Sequence, residues 1–545
     1  NTEAFYIRDE TSGRCWSPTL LPTRSAQPYV TRHGFGYSVF EHVEDGIESE
    51  LRIHVAIDAP VKFSTLTLRN RSGRSRRLSV TGYLDWVLGD ERAKTLMHVV
   101  TEIDAETGAL FARNSYNTDF AGCTAFFDVD DSGGAERSVC ADRGDFLGAD
   151  GSTAAPAALA QGELSGRVGA ALDPCAALRV AFDLAPGEAR STVFRLGAGK
   201  TADDARALVR RWRGADAAQS ALDSVQRHWQ QTLGTLQVRT QDRTLNALAN
   251  GWLIYQVIGS RLWGRTAFYQ SSGAYGFRDQ LQDVMALVHA APALVREHLL
   301  RAAARQFLEG DVQHWWHPPS GKGVRTRCSD DYLWLPLVAC RYVEATGDEG
   351  VLDEPCAFLE SRALKDGVAS NYELPKVAAE SASLYDHCVR SIRHGLRYGR
   401  HGLPLMGSGD WNDGMNLVGA NGQGESVWLA FFLVGVLARF EPLARRRGDA
   451  AFAELCASEA AQLRGRIEAS AWDGEWYRRA WFDDGSVLGS AGNAECRIDS
   501  IAQSWSVLSG AAPADRARRA MDSVERHLVH RDTRLIQLLD PPFDT

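Results

Sequence analysis

The stretch Thr201–Gly234, "TADDARALVRRWRGADAAQSALDSVQRHWQQTLG", divides the chain. It is Ala-rich and charged, follows a helical period, and carries no turn composition beyond Gly214. It predicts a helical linker over residues 201–240. Upstream, over residues 1–200, the period is two. "RHGFGYSVFEHVEDGIESELRIHVAID" alternates apolar and polar residues, with Asp45-Gly46 at a hairpin position. "VKFSTLTLRNRSGRSRRLSVTGYLDWVL" repeats the alternation around the turn Asn70-Arg71-Ser72-Gly73. Many strands at short spacing, with no helices between them, predict a large antiparallel β-sandwich. Downstream, over residues 241–545, helices are predicted at 242–262, 278–290, 293–308, 330–346, 380–399, 424–446, 449–470, 498–510 and 513–529. No repeat of fixed length argues against a consensus solenoid. Long and short loops in alternation suit a barrel of helical hairpins, with function on the loops of one end.

At 545 residues the chain is too long for one ordinary domain. Apolar residues make up 44% and charged residues 24%, which fits a soluble protein with a real core. A net charge of -9 offers nucleic acid no electrostatic footprint, and basic clusters such as Arg445-Arg446-Arg447 are short. Ten cysteines include no C-x-x-C pair, so neither a zinc nor a redox motif is read. Reduced thiols and a cytoplasmic location are expected. No signal peptide is read, and the strongest apolar run, Val427–Val436, is too short to cross a bilayer. The start at Asn1 without Met and the ending "LLDPPFDT" lead us to expect a fragment of a longer protein.

Three stretches can carry chemistry. "GSGDWNDGMNLVG", Gly407–Gly419, places Asp410 and Asp413 around Trp411 in a glycine-rich turn. Glycines let backbone approach a ligand closely; the alternative is a turn in which Asp and Asn cap backbone N–H groups. "YQSSGAYGFRDQLQDVMALVH", Tyr269–His289, leads a polar loop into a helix with Asp279 and Asp283 on one face, next to Arg278 and Gln282. Like charges at this spacing point to a binding role, or to carboxylates stabilised at a helix N-terminus. "EGDVQHWWHPPSGKGVRTRCSDDYLWLP", Glu309–Pro336, holds His314, Trp315, Trp316, His317, Arg325, Arg327, Asp330 and Asp331. His314 and His317 lack the H-E-x-x-H context and are followed by a helix-breaking Pro pair, so no metal site is read. Trp beside Arg and Asp suits sugar stacking with hydroxyl hydrogen bonding, although one of the two Trp can equally serve the core. "EWYRRAWFDDGSVLGS", Glu475–Ser490, reads as a structural hairpin turning at Asp484-Gly485. G-x-S-x-G and a dinucleotide G-x-G-x-x-G are missing.

These clusters on a helical barrel point to glycosidic bond cleavage. A hydrolase needs two carboxylates. A phosphorylase needs one acid, because phosphate is itself the nucleophile. Taken together, "GSGDWNDGMNLVG…GESVWLAFFL", "YGFRDQLQDV" and "GDVQHWWHP…GVRTRCSDDYLWLP" resemble glycoside hydrolase family 94, the inverting β-glycoside phosphorylases. The resemblance covers nearly the whole chain. The stretches "EAFYIRDETSGRCWSPTLLP…RHGFGYSVFEH" and "LRNRSGRSRRLSVTGYLDWVLGD" are most similar to the phosphorylase domain of cyclic β-1,2-glucan synthases.

The resemblance implies a β-sandwich, a helical linker and an (α/α)6 barrel, here incomplete at its C-terminus. It implies that Asp413, directly after Trp-Asn, is the general acid, that Trp411 contacts sugar, and that Asp279 and Arg278 belong to the donor-sugar subsite. Asp283, Asp410, Trp315, Trp316 and Arg325 are the further substrate-binding candidates. The implied substrates are a β-glucan oligosaccharide, of β-1,2 linkage, and inorganic phosphate as co-substrate, with no cofactor and no metal. In-line attack by phosphate would release an α-sugar 1-phosphate. Asp410 is expected to raise the Asp413 pKa. Family relatives are often dimers, so a homodimer is among the expectations, as is the cytoplasmic part of an inner-membrane protein. One departure is plain: no late Thr-Gly motif, which carries phosphate-binding residues in the family, is found, so this stretch alone is expected to be inactive. The competing readings are a free-standing β-glucan oligosaccharide phosphorylase, a non-catalytic sugar-binding scaffold, and an inverting hydrolase with Asp410 or Asp283 as base.

Overall fold

Alternating residues over the first part of the chain become two antiparallel sheets in the computed structural model, which describes residues 3–131, 136–149, 151–265, 273–365 and 367–544. The chain divides into two units, Asn1–Gly234 and Thr235–Thr545. In the first unit, a five-stranded sheet runs in the order Glu136–Asp142, Pro174–Leu184, Arg76–Asp85, Glu3–Asp9, Cys15–Trp16. An eight-stranded sheet runs Tyr29–Gly34, Tyr37–Glu44, Ile47–Val55, Val61–Asn70, Ala189–Gly199, Thr124–Asp131, Leu110–Arg113, Val100–Ile103. Each sheet turns one apolar set toward the other. Ile7, Leu78, Val80 and Leu178 from one sheet meet Leu51, Leu66, Phe127 and Phe194 from the other. The Phe5 and Phe194 rings lie 5.3 Å apart across this layer.

Asp45 and Gly46, with φ of 47° and 73°, form the hairpin expected from their sequence and set Glu44 opposite Ile47. The turn at Asn70–Gly73 does something else. Val61–Asn70 and Arg76–Asp85 belong to different sheets, so this turn carries the chain from one to the other. Buried Asn70 holds it by donating Nδ2 to the carbonyls of Arg74 and Leu184, at 2.7 and 2.9 Å.

The helices Ala202–Arg211 and Ala215–Leu233 lie on the outer face of the eight-stranded sheet, within the first unit. Ala205, Val209, Trp212, Ala218 and Ala221 pack there on Val61, Phe63, Phe111, Phe126 and Val193. Thr201 caps the first of them by accepting from the Asp204 N–H.

The second unit is mainly helical. Helical turns run from Arg243 to Trp263, followed by Phe277–Met285, Pro292–Ala303, Trp334–Thr346, Leu384–Gly395, Val427–Arg446, Ala450–Ser470, Ser500–Leu508 and Ala514–His527. The helix expected from residue 380 begins at Leu384, because Lys376–Ser383 is a strand paired with Pro355–Glu360. The start of the polar loop at Tyr269 lies outside the described residues. A small sheet joins Tyr275–Gly276, Gln313–His317, Lys322–Thr326 and Ser370–Glu373. The expected hairpin forms from Ala480–Trp481 and Val487–Leu488.

The helix Val427–Arg446 organises this unit. The helix is 20 residues long and continues past the apolar run that ends at Val436; by length and composition it could cross a membrane, but 78% of its most apolar window is buried inside the unit, so it is a core helix. Trp428 stacks on Phe432 at 5.2 Å, Trp334 lies 4.6 Å from Phe432, and Phe431 meets Tyr477 edge-on at 4.9 Å.

Several histidines serve the core. His387 stacks on Phe358 at 4.0 Å and donates Nε2–H to the Cys356 carbonyl at 3.1 Å. Burial lowers its pKa to about 4. Below about pH 6.5, the ordinary histidine value, the unfolded chain takes up a proton here that the folded chain refuses until about pH 4. The stability it contributes is therefore complete above pH 6.5 and is lost as pH falls. In thermal melts, the midpoint should fall between those limits, and the fall should be smaller in His387→Gln.

Candidate active site

Backbone contacts fix the loop Gly407–Gly419. Ser408 N–H donates to the Arg327 carbonyl at 3.1 Å, and Ser329 N–H to the Gly409 carbonyl at 3.0 Å. Gly407 has φ of 64°, and a Cβ there would sit 2.0 Å from the Arg327 carbonyl oxygen. Only glycine permits this approach, which lays the loop alongside Cys328. Asn412 Oδ1 accepts from Gly414 N–H at 2.9 Å, the Asx turn that was one of the two readings. Beneath it Met406, Met415 and Val418 pack with Ala480, Leu488 and Cys496.

Asp410 is a structural anchor. Its two oxygens accept from Arg479 Nη1 and Nη2, both at 2.7 Å, and Ser426 Oγ donates to Oδ2 at 2.6 Å. Arg479 Nε also lies 3.3 Å from Asp499 Oδ2. All four residues are buried. Burial alone would raise the Asp410 pKa, but Arg479 and Ser426 more than reverse this, leaving it below its ordinary value. Ser426 Oγ meanwhile accepts from Leu429 N–H at 3.0 Å and so caps the core helix. Asp410 is therefore buried and charge-matched, which fits a structural cap, and it presents no unmatched negative charge to Asp413. Arg479, read only as part of a structural hairpin, is the residue that this loop requires.

Asp413 is the exposed member of the pair, with 60% of its side chain accessible. Its Oδ1 accepts from Arg278 Nη2 at 2.6 Å. Arg278 Nη1 donates to Asp330 Oδ1 at 3.0 Å and to the Asp410 carbonyl at 2.7 Å, so one guanidinium joins the helix Phe277–Met285 to two loops. Burial opposes its charge, but Asp330, Asp331 and Asp413 outweigh that and hold it protonated. Asp330 also accepts from Trp334 Nε1 at 3.0 Å, and burial pushes its pKa up. His314 sits at a bulge in Gln313–His317, where the register against Lys322–Thr326 slips by one residue. Its Nδ1 donates to Asp331 Oδ2 at 2.7 Å, and its Nε2 lies 3.9 Å from Asp413 Oδ2. Burial would lower the His314 pKa, but Asp331 drives it well above its ordinary value. Cys328 Sγ lies 3.9 Å from Asp413 Oδ1.

The remaining candidates separate. Trp411 is 41% exposed, with Nε1 donating to Gln282 Oε1 at 3.2 Å. Trp315 is half-buried, 5.5 Å from the Tyr372 ring. Asp279 is half-buried in the first turn of its helix, and Asp283 accepts from Arg261 Nε at 2.7 Å. Burial raises the Asp283 pKa against the pull of Arg261. Trp316 and Arg325 are corrections to the substrate-binding set. Trp316 is buried, stacked on Tyr275 at 5.5 Å with the Arg305 guanidinium over its ring at 5.2 Å. Arg325 is buried, with Nε and Nη2 each 2.7 Å from Asp311 and Nη2 3.0 Å from Glu309. His314, Asp330 and Asp331 were named in their stretch but not placed among the substrate-binding candidates, and His314 was weighed only as a metal ligand with His317 and set aside. Nothing in the sequence marked Cys328.

Replacing Arg479 by Met leaves Asp410 buried and unmatched. Arg479→Met should destabilise the second unit by about 3–5 kcal/mol, and the pair Asp410→Asn with Arg479→Met should recover part of that loss. Denaturant unfolding measures both.

Residues 228–545 match the Glycosyl hydrolase 94 superfamily, catalytic domain, and residues 1–215 match the Glycosyl hydrolase 94, supersandwich domain. The chain is 44% identical to the cyclic beta-(1,2)-glucan synthase NdvB of Rhizobium meliloti (strain 1021), covering 100% of this chain and 19% of that protein. It is 28% identical to the N,N'-diacetylchitobiose phosphorylase of Vibrio furnissii, covering 96% of this chain and 67% of that one. Among solved structures, a bacterial glucoamylase complexed with acarbose shares the fold, with a TM-score of 0.59 at 11% identity over 96% of this chain and 73% of the other. With one half matching the family's supersandwich and the other its catalytic domain, the chain belongs to the glycosyl hydrolase 94 superfamily.

Proposed function

We propose that the chain is the phosphorylase part of a larger protein that handles β-1,2-glucan, and that it cleaves β-glucosidic bonds with inorganic phosphate. One observation carries this reading. Of the two aspartates on the loop, only Asp413 is exposed, while Asp410 is buried and neutralised by Arg479. That leaves the loop with one acid, which suffices when phosphate is the nucleophile; a hydrolase needs a second carboxylate. Family membership and 44% identity to a cyclic β-glucan synthase over the whole chain support the class and the linkage.

In this reading phosphate attacks the anomeric carbon in line as the C1–O bond to the leaving sugar breaks. Asp413 protonates the leaving oxygen, and the proton carried in by hydrogen phosphate balances it. Inversion gives α-glucose 1-phosphate. In the free chain Asp413 is held by Arg278, so this contact loosens as substrates enter; catalytic contacts commonly form only in the complex. Trp411 and Trp315 offer ring faces for stacking, and Arg278 and Asp279 hold the donor sugar. The helices of the second unit form part of an (α/α)6 barrel, a reading supported by the glucoamylase likeness. All ten cysteines are free, which supports a reducing, cytoplasmic setting.

The test is release of glucose 1-phosphate from β-1,2-glucooligosaccharides, by this chain and by the longer protein that contains it. Release should depend on phosphate. Asp413→Asn should lower it by about 10²–10⁴-fold, the usual contribution of a general acid, while sugar binding persists. Trp411→Ala should raise KM for the oligosaccharide by about tenfold, the loss of one stacking contact. Full activity in Asp413→Asn refutes the assignment, and turnover without phosphate makes the protein a hydrolase.

A further inference from the structure

We propose that His314, Cys328 and Asp413 form a binding site for Zn²⁺, and that the ion inhibits the enzyme by occupying Asp413. The three residues come from separate segments: the bulged strand, the turn after Lys322–Thr326, and the Gly407–Gly419 loop. Their ligand atoms, an imidazole nitrogen, a thiol sulfur and a carboxylate oxygen, all lie within 4.8 Å of one another. His314 Nε2 is 3.9 Å from Asp413 Oδ2, and Cys328 Sγ is 3.9 Å from Asp413 Oδ1. Zn–N, Zn–O and Zn–S bonds of roughly 2.0–2.3 Å set tetrahedral ligands about 3.3–3.7 Å apart. The cluster is therefore a few tenths of an ångström to about 1 Å wider than a closed site. Asp413, the exposed ligand, is the one free to close that gap.

Two features make this more than proximity. His314 Nδ1 is tied to Asp331 Oδ2 at 2.7 Å, which turns Nε2 toward the other two ligands. A carboxylate behind a histidine in this way is the usual support of a metal-bound imidazole. Arg278 holds Asp413 Oδ1, the oxygen 3.9 Å from Cys328 Sγ, and Oδ2 faces His314, so the exposed carboxylate turns to offer one oxygen to both partners. The set of one N, one S and one O is borderline-soft, which favours Zn²⁺ over Mg²⁺ or Ca²⁺. Binding releases two protons to the buffer, one from the Cys328 thiol as the Zn–S bond forms and one from His314 Nε2 as the Zn–N bond forms. A carboxylate on zinc has no proton to give a leaving sugar, so bound metal and acid catalysis exclude each other.

The experiment reads binding without turnover, so its result stands apart from the phosphorylase assignment. The folded chain is titrated with Zn²⁺ against a chromophoric chelator, and with Co²⁺ while the thiolate-to-cobalt charge-transfer band is recorded. One equivalent of Zn²⁺ and a charge-transfer band are expected. Cys328→Ser should abolish the band and weaken Zn²⁺ at least tenfold, and Asp331→Asn should weaken it about 10–100-fold through the supporting hydrogen bond. Cys356→Ser, at a buried thiol elsewhere in the unit, should leave both unchanged. Circular dichroism confirms that each variant is folded. Absence of the band in the parent chain, or its persistence in folded Cys328→Ser, overturns the site.

Discussion

The second unit depends on a pair of opposite charges held out of water. Arg479 and Asp410 meet through two parallel hydrogen bonds at full burial. Such a pair adds little net stability, because desolvation offsets much of the attraction, but neither member tolerates the loss of the other. Three parts of the chain converge on it. The hairpin supplies Arg479, the glycine-rich loop supplies Asp410, and Ser426 links that carboxylate to the first turn of the core helix. The loop is thus fastened at its base to the most buried helix of the unit. Asp413, three residues along, inherits its position from this attachment and from the Arg278 guanidinium on the other side.

Environment, more than residue type, sorts the acidic groups of the site. Asp410 is buried and doubly matched by arginine. Asp330 is buried with a shared arginine and an indole N–H. Asp331 is buried against an imidazole that it keeps charged. Asp413 alone among these reaches solvent. Two cations, Arg278 and His314, face it, so its surroundings suit an anion arriving beside the acid, as the proposed reaction requires.

The architecture was largely legible in the sequence because period two and period 3.6 leave different patterns in which side chains are apolar. The alternation in Ile47–Val55 and the run in Val427–Arg446 are examples, and both became the elements expected of them. The turn at Asn70–Gly73 shows the limit: local composition marks a turn but not whether the next strand joins the same sheet. The site was legible only in part. Asp410 and Asp413 look equivalent in one dimension, and what separates them is Arg479, 69 residues away from Asp410. Trp315 and Trp316 are adjacent, yet opposite faces of one strand send the first toward the surface and the second into the core. Arg325 looked like a ligand-binding cation because Asp311 and Glu309, which consume its charge, are not recognisable as partners until the strands pair.

The bulge at His314 sets local regularity against the site. It is one residue more than the partner strand matches. Deleting that residue would let the two strands pair without interruption and would improve the ladder. The flanking pairs Gln313–Arg325 and Trp315–Val324 would keep their faces, but the imidazole that meets Asp331 and Asp413 would be gone. A chain refined for folding alone would drop the extra residue. The extra residue thus serves the site and not the ladder: it is where the strand gives up a regular pairing to present a side chain.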